Sequence, residues 1–403
     1  MTRREKIGWI ALLYFAQGFP FGIVADNLPV YLRVHDVSLT QIGLLSGVLG
    51  MPWTAKFLWA PLVDVWGSTR AWISGALLLM ALVLYVLPFL PPSPPGFLLW
   101  AVLLGFTLAS ATQDIAIDAH SIRMLERGEE GMANGVRVSA YRAALIVSGG
   151  GLVMLSGWLA WTGVFHAAAG ILVLLAWTIW QRLPAVDRGG GATQAWSGTL
   201  WKWLQRPRGW LLFLVVLTFK LGDSSMGPMV KPFWVDRGFS PEEIGLVSTT
   251  FGVALSVAGA LLGGWCTSRW GIRRGLVIFG LLQAVSNLGY AAAAAFGAGR
   301  PGVYAASFCE SFTGGLGTAA FLAFLMRCCD KRNAATEYAL LSAVFGLTRQ
   351  VAGTFSGWAT TVMGYATYFG ATFLVALPPL LLLAWLPADL DAERPAATDQ
   401  PEP

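Results

Sequence analysis

The chain has 403 residues, of which 56% are hydrophobic and 12% charged, against about 25% charged in a soluble globular protein. With 22 acidic and 27 basic residues and a mean hydropathy of +0.61, it has too little charge to cover a soluble surface, which excludes a cytosolic enzyme. The net charge of +5 sits in short clusters between apolar runs rather than on one face, which excludes a nucleic-acid binder and marks a polytopic membrane protein.

The first apolar run follows Arg3-Arg4-Glu5-Lys6. It continues through Gln17-Gly18-Phe19-Pro20 without a small-x-small cleavage site, so it reads as a retained helix rather than a removed leader. With about 20 mostly apolar residues needed per crossing, twelve spans are predicted. They lie near 8–32, 41–62, 71–90, 97–122, 133–158, 161–181, 209–234, 242–266, 275–296, 302–327, 335–360 and 365–386. The polar break from Arg182 to Arg208, with Gly189-Gly190-Gly191, separates two expected six-helix bundles, 1–182 and 209–387. Residues 183–208 are then a cytoplasmic linker and 388–403 a disordered tail.

Basic residues orient the chain. Eighteen of the 27 fall on the side of the amino terminus, three (Arg33, Arg237 and Arg300) on the opposite side, and six inside spans. That bias predicts cytoplasmic termini. The halves also repeat: Ile42-Gly43-Leu44 recurs as Ile244-Gly245-Leu246, Trp66-Gly67 as Trp270-Gly271, Arg123 as Arg327 and Ser139-Ala140 as Ser342-Ala343, at offsets of 202 to 204. Six spans per copy is an even number, so the copies are parallel. Parallel halves with substrate bound between them resemble the major facilitator arrangement. The expected fold is therefore an all-α polytopic membrane protein with the major facilitator fold, its twelve transmembrane helices forming two parallel six-helix repeats.

Ionisable residues inside spans are costly and by default face protein or water. They are Asp26 in the first span, Lys56 in the second, Asp114 and Asp118 in the fourth, and Arg137 and Arg142 in the fifth. Lys220, Asp223 and Lys231 follow in the seventh, Glu310 in the tenth and Arg349 in the eleventh. All five carboxylates lie on spans 1, 4, 7 and 10, the ones that line the central cavity of a major facilitator. Asp114 and Asp118, four apart, share a helix face, with Gln113 beside them, and Asp118 lies about 6 Å nearer the cytoplasm. Lys220 and Asp223, three apart, are placed to pair. Carboxylates in such settings can exchange protons near neutral pH, as proton-coupled transport requires. The expected substrate and proton pathway is Asp26, Gln113, Asp114, Asp118, Arg142, Lys220, Asp223, Glu310 and Arg349. The competing reading is static pairing, such as Glu310 with Arg349 or a fourth-span acid with Arg142.

Asp26 lies past the middle of its span, above Gly18, Pro20 and Gly22, and is expected to act as a charge at the outer mouth that tunes substrate choice. Asp64, Arg70 and Arg123, at cytoplasmic span ends, are expected to form a structural latch. Gly43-x-x-x-Gly47, Gly149-Gly150-Gly151, Gly314-Gly315 and Gly353-x-x-x-Gly357 are expected at close helix contacts. The four cysteines and three histidines show neither a disulfide framework nor metal-ligand spacing, so no metal and no cofactor is expected. An enzyme would need a nucleophile–base or metal constellation, and a sensor a soluble output domain; neither pattern is found.

Several stretches resemble the AmpG muropeptide permeases. They are Lys56-Phe57-Leu58-Trp59-Ala60-Pro61-Leu62-Val63-Asp64, Ser110-Ala111-Thr112-Gln113-Asp114-Ile115-Ala116-Ile117-Asp118-Ala119 and Tyr141-Arg142 leading to Ser148-Gly149-Gly150. In the second half they are Lys220-Leu221-Gly222-Asp223, Glu310-Ser311-Phe312-Thr313-Gly314-Gly315-Leu316-Gly317-Thr318-Ala319-Ala320-Phe321 and Ala334-Ala335-Thr336-Glu337-Tyr338-Ala339-Leu340-Leu341-Ser342-Ala343. The resemblance implies a monomeric importer in the bacterial inner membrane that carries N-acetylglucosaminyl-anhydromuramyl peptides with protons for peptidoglycan recycling. Many members of that family carry two further carboxy-terminal helices beyond the twelve spans found here. The fourth-span pattern is also similar to siderophore importers and acetyl-coenzyme A transporters, so a siderophore or other peptide-like solute is the alternative cargo.

Overall fold

The computed structural model describes residues 2–65, 68–124, 130–184, 209–328 and 334–385. The body of the expected linker, from 185, and the tail lie outside these residues, as does the side chain of Asp64. Nine described stretches are long and apolar enough to cross a membrane. Two of them are each two helices, broken at Ala160 (φ 52°) and at Gly364 (φ 73°). A helix over 39–65, interrupted by a tight turn at Lys56–Leu58, completes a set of twelve. In chain order they are α1 Arg3–Val34, α2 39–65, α3 Thr69–Phe89, α4 Phe97–Met124, α5 130–159 and α6 161–182. The second set is α7 Gly209–Asp236, α8 Pro241–Trp270, α9 Ile272–Ala295, α10 Arg300–Cys328, α11 334–363 and α12 365–385.

Local chemistry fixes several starts. Thr2 with Glu5 and Ser240 with Glu243 form reciprocal capping boxes at α1 and α8, while Ser38 and Ser68 cap α2 and α3. Side-chain pairings then give the directions. Tyr14 meets Asp118 and Ala16 meets Gln113, so α4 runs against α1. Gly18 faces Tyr141 and Gly22 faces Ser148, so α5 runs with α1. Arg70 reaches the Leu183 carbonyl, Ser74 bonds the Ala176 carbonyl and His166 meets the Tyr85 carbonyl, so α6 runs against α3. The face that carries Arg3 is here the near face; the face that carries Arg33 is the far face.

The second half is built from the same contacts. Tyr31 packs on Trp161 and Phe165 with ring centres 5.3 and 4.9 Å apart. Phe233 packs on Tyr365 and Phe369 at 5.2 and 5.6 Å. Arg70 on the Leu183 carbonyl is matched by Arg273 on the Ala384 carbonyl. These partners are 201 to 204 residues apart, as the sequence repeat requires, and the two six-helix repeats are parallel.

The halves meet along α2 against α11 and α5 against α8, and small residues set how closely. Gly43 faces Gly357, and Gly47 faces Gly353 and Thr354; a Cβ on Gly357 would lie 1.8 Å from the Leu39 carbonyl oxygen. On the other seam Gly150 faces Gly245, where a Cβ on Gly150 would lie 2.3 Å from Thr250 Oγ1. No other residue lets these backbones touch. The outer surface carries Leu82, Leu174, Leu261, Leu374 and many other exposed apolar side chains. In water such a surface would aggregate; against lipid chains it is the expected one, and this is a multi-pass membrane protein.

Candidate functional site: a charged cavity between the halves

A cavity of about 370 Å³ lies where the halves face each other. Asp26 of α1 and Arg142 of α5 line it from the first half. Asp223 and Lys231 of α7, Ser248 and Thr249 of α8, Glu310 of α10 and Arg349 of α11 line it from the second. Five of the nine expected pathway residues thus share one space. Its charges fall into three groups.

The far-side group joins the halves. Lys231 Nζ lies 3.2 Å from Asp26 Oδ1 and donates to Ser248 Oγ at 2.9 Å and Thr249 Oγ1 at 2.5 Å. Asp26 sits in a π-helical turn, Ile23–Asn27, that interrupts α1; such turns recur at functional sites. About two turns further out, Arg33 grips Asp236 through Nε and Nη2, the Nη2 bond being 2.7 Å long. Tyr365 donates to the same carboxylate at 2.8 Å. Asp26 is therefore a neutralised partner in a bond across the halves. The sequence expectation of a bare charge at the mouth did not include Lys231, which is 205 residues away. Gly18 and Gly22 let α5 pack closely: a Cβ on Gly18 would lie 2.8 Å from the Tyr141 carbonyl oxygen.

The near-side group surrounds Lys56, which the break in α2 places between two carboxylates, 3.5 Å from Asp114 and 3.9 Å from Asp118. Arg137 lies 3.5 Å from Asp118 and over the ring of Tyr14 at 4.6 Å, and the Tyr14 hydroxyl donates to Asp118 at 2.8 Å. Asp114 is buried and Asp118 is half-buried. Gln113 points elsewhere: it is fully buried and donates to the Ala16 carbonyl at 3.2 Å, tying α4 to α1.

The third group lies in the second half. Lys220, 3% exposed, is 3.5 Å from Asp223 and donates to Gln283 Oε1 at 2.9 Å and to the Gly314 carbonyl at 3.5 Å. Arg142, Arg349 and Glu310 differ from all of these. Among the described residues none of the three is in an ion pair. Glu310 accepts a hydrogen bond from Ser311 at 3.3 Å, and Arg349 lies over Phe21 at 5.3 Å. The static pairs Glu310–Arg349 and fourth-span acid–Arg142 are not among the described ion pairs. Of the expected latch, Arg70 ties α3 to the end of α6 through the Leu183 carbonyl, and Arg123 ends α4.

Sequence reasoning did not assign roles to Tyr14, Lys231, Arg33 or Asp236. Lys231 and Arg137 were visible as embedded charges; Tyr14 carried no signal, since a tyrosine near a helix start is ordinarily interfacial.

The sequence profile of the Major Facilitator Superfamily matches residues 10–221 and 212–403. The anhydromuropeptide permease of Escherichia coli strain K12 is 33% identical over 389 residues, covering 93% of this chain and 78% of that protein. A putative transporter AmpG 4 of Rickettsia conorii is 27% identical over 94% of this chain and 95% of its own length. Among solved structures, a bacterial homolog of the human lysosomal transporter Spinster, inward-facing and unoccupied, superposes with a TM-score of 0.75 at 16% identity, over 94% of this chain and 96% of that one. The nucleoside transporter NupG does so with a TM-score of 0.73 at 15% identity, over 94% and 98%. Those likenesses concern the fold. Taken with a polar cavity enclosed by two parallel six-helix repeats, the sequence matches make this chain a transporter of the Major Facilitator Superfamily, in the family of the anhydromuropeptide permease.

Proposed function

We propose that the protein imports anhydromuropeptides, N-acetylglucosaminyl-anhydromuramyl peptides, across the bacterial inner membrane by proton symport, for peptidoglycan recycling. The observation that carries this reading is the cavity: it combines the likeness to the permease with two arginines and a glutamate that are in no ion pair among the described residues. A muropeptide supplies the matching carboxylates and amine. On this reading the protein is a monomer whose termini and near face are cytoplasmic. The halves 1–182 and 209–387 rock about the cavity, joined by 183–208, and expose it to each side in turn.

The near-side group supplies the proton step. Asp118 is held by Arg137 and Tyr14 as well as Lys56, whereas among the described ion pairs buried Asp114 has Lys56 alone, so Asp114 is the carboxylate placed to take up a proton when Lys56 swings to Asp118. Asp114→Asn and Asp118→Asn should each lower muropeptide uptake about tenfold or more in a host lacking its own permease. Removing a hydrogen-bonded charge costs about 1.5–3 kcal/mol. Membrane abundance, measured on the same cells, should stay near the parent level. Full uptake by both variants would remove the two aspartates from the proton step.

A further inference from the structure

Less than about 1% of residues in folded proteins are π-helical, and such turns recur at functional sites. Three of them lie among the described residues: Ile23–Asn27 in α1, Ile146–Gly151 in α5 and Ile244–Phe251 in α8. The Leu28 N–H donates to the Ile23 carbonyl and the Leu152 N–H to the Val147 carbonyl, each one residue beyond α-helical spacing. The turns come from three helices and both halves, yet each touches the other two. Asn27 donates to the Ser148 carbonyl at 3.4 Å, joining the turns of α1 and α5. Thr249 donates to Asp26 at 3.5 Å, joining those of α1 and α8. A Cβ on Gly245 would lie 2.5 Å from the Gly150 carbonyl oxygen, where the turns of α5 and α8 meet.

Because they touch, the three turns share one depth. Beyond each, toward the far face, lies only a short helical tip: Leu28–Val34 of α1, 152–159 of α5 and Pro241–Glu243 of α8. The tips are tied across the halves. Arg33 on the first binds Asp236 of α7. Glu242 on the third seats against the second, where a Cβ on Gly157 would lie 1.3 Å from its Oε1. Asp26 and Lys231 add a tie at the level of the turns themselves. A π-turn breaks the regular α-helical ladder, and helices bend sharply at such breaks. Each tip is therefore joined to the body of its helix at the place where that helix bends most readily.

We infer that the three tips are the far gate, swinging on π-helical hinges to uncover the level of Asp26 and Lys231 while the rest of each half keeps its shape. This goes beyond import: it adds a local motion to the rocking of the halves and holds whatever the cargo.

The test measures distances between spin labels on the full-length protein in lipid nanodiscs, with its four cysteines replaced by serine. Position 34 on the α1 tip, 158 on the α5 tip and 97 at the start of α4 are exposed and belong to one half. The α1 tip is about 10 Å long, so a bend of about 30° moves its end by about 5 Å. Asp236→Ala frees Arg33, and the 34–97 distance should then gain a second population shifted by about 5 Å or more. In the double variant Lys231→Met with Asp236→Ala, the 158–97 distance should gain one as well. Gly151→Ala stiffens the α5 hinge, and its methyl carbon fits, 3.6 Å from the nearest atom. Added to the double variant, it should shrink the shifted 158–97 population about two- to fivefold, the helix preference of alanine over glycine. An unreduced population there would take the hinge out of the turn and overturn the gate. Lengthening between 34 and 238 with 34–97 and 158–97 unchanged is rigid rocking, and would overturn it too. So would parent distances throughout in the double variant, where both charged ties are gone.

Discussion

Lys231→Met should open the far face and cut uptake about tenfold or more. Lys231 is 8% exposed and meets Asp26 only because the halves touch on that side. Removing one partner of a buried pair leaves the other charge uncompensated, at a cost of about 3–5 kcal/mol. That cost falls on the far-closed state alone, since opening lets water reach Asp26. A bias of this size moves the equilibrium by about two to four powers of ten. Spin labels at positions 34 and 238, one on each half at the far face, should report a longer distance in the variant. Pairing Lys231→Met with Asp26→Leu removes both charges and should bring the distance most of the way back. An unchanged distance in Lys231→Met would show that the pair does not hold the face shut. The same account predicts a different result for Asp26→Asn from the one a bare mouth charge would give: weaker closure, rather than a simple shift toward acidic cargo.

Gly357→Ala should have a comparable effect through bulk instead of charge. The added methyl carbon would sit 1.8 Å from the Leu39 carbonyl oxygen, a backbone atom that cannot swing aside. Overpacking of this kind typically costs about 1–3 kcal/mol, and the far-closed seam of α2 and α11 bears it. Uptake should fall about tenfold while membrane abundance stays near normal. Gly264→Ala on α8 is the control, because nothing lies within 4 Å of its added carbon. Equal uptake by the two variants would mean that the seam tolerates a gap.

How much of this could be read beforehand follows from range. Apolar run length is a local property, so twelve spans were legible, with ends off by a few residues: 41–62 is observed as 39–65, and 335–360 as 334–363. The repeat was legible because duplicated helices keep their spacing. The Lys220–Asp223 pair was legible for the same reason, being one helical turn long. Pairs across the halves were not, because nothing in a single helix says which face meets a helix 200 residues away. The five carboxylates on α1, α4, α7 and α10 accordingly divide: Asp26, Asp223 and Glu310 line the cavity, while Asp114 and Asp118 gather around Lys56. Gln113 illustrates the helical geometry. It is next to Asp114 in sequence, but one residue turns an α-helix by about 100°, which carries its amide to α1. The π-helical turn that re-aims Asp26 had no sequence marker beyond Pro20.

Muropeptide import itself is tested most directly by filling proteoliposomes with buffer near pH 7.5, placing them at about pH 6, and adding labelled N-acetylglucosaminyl-anhydromuramyl tripeptide. The protein should accumulate the label above its external concentration, and a protonophore should collapse that accumulation to simple equilibration. Liposomes that gain no more label with the protein than without it would contradict the account.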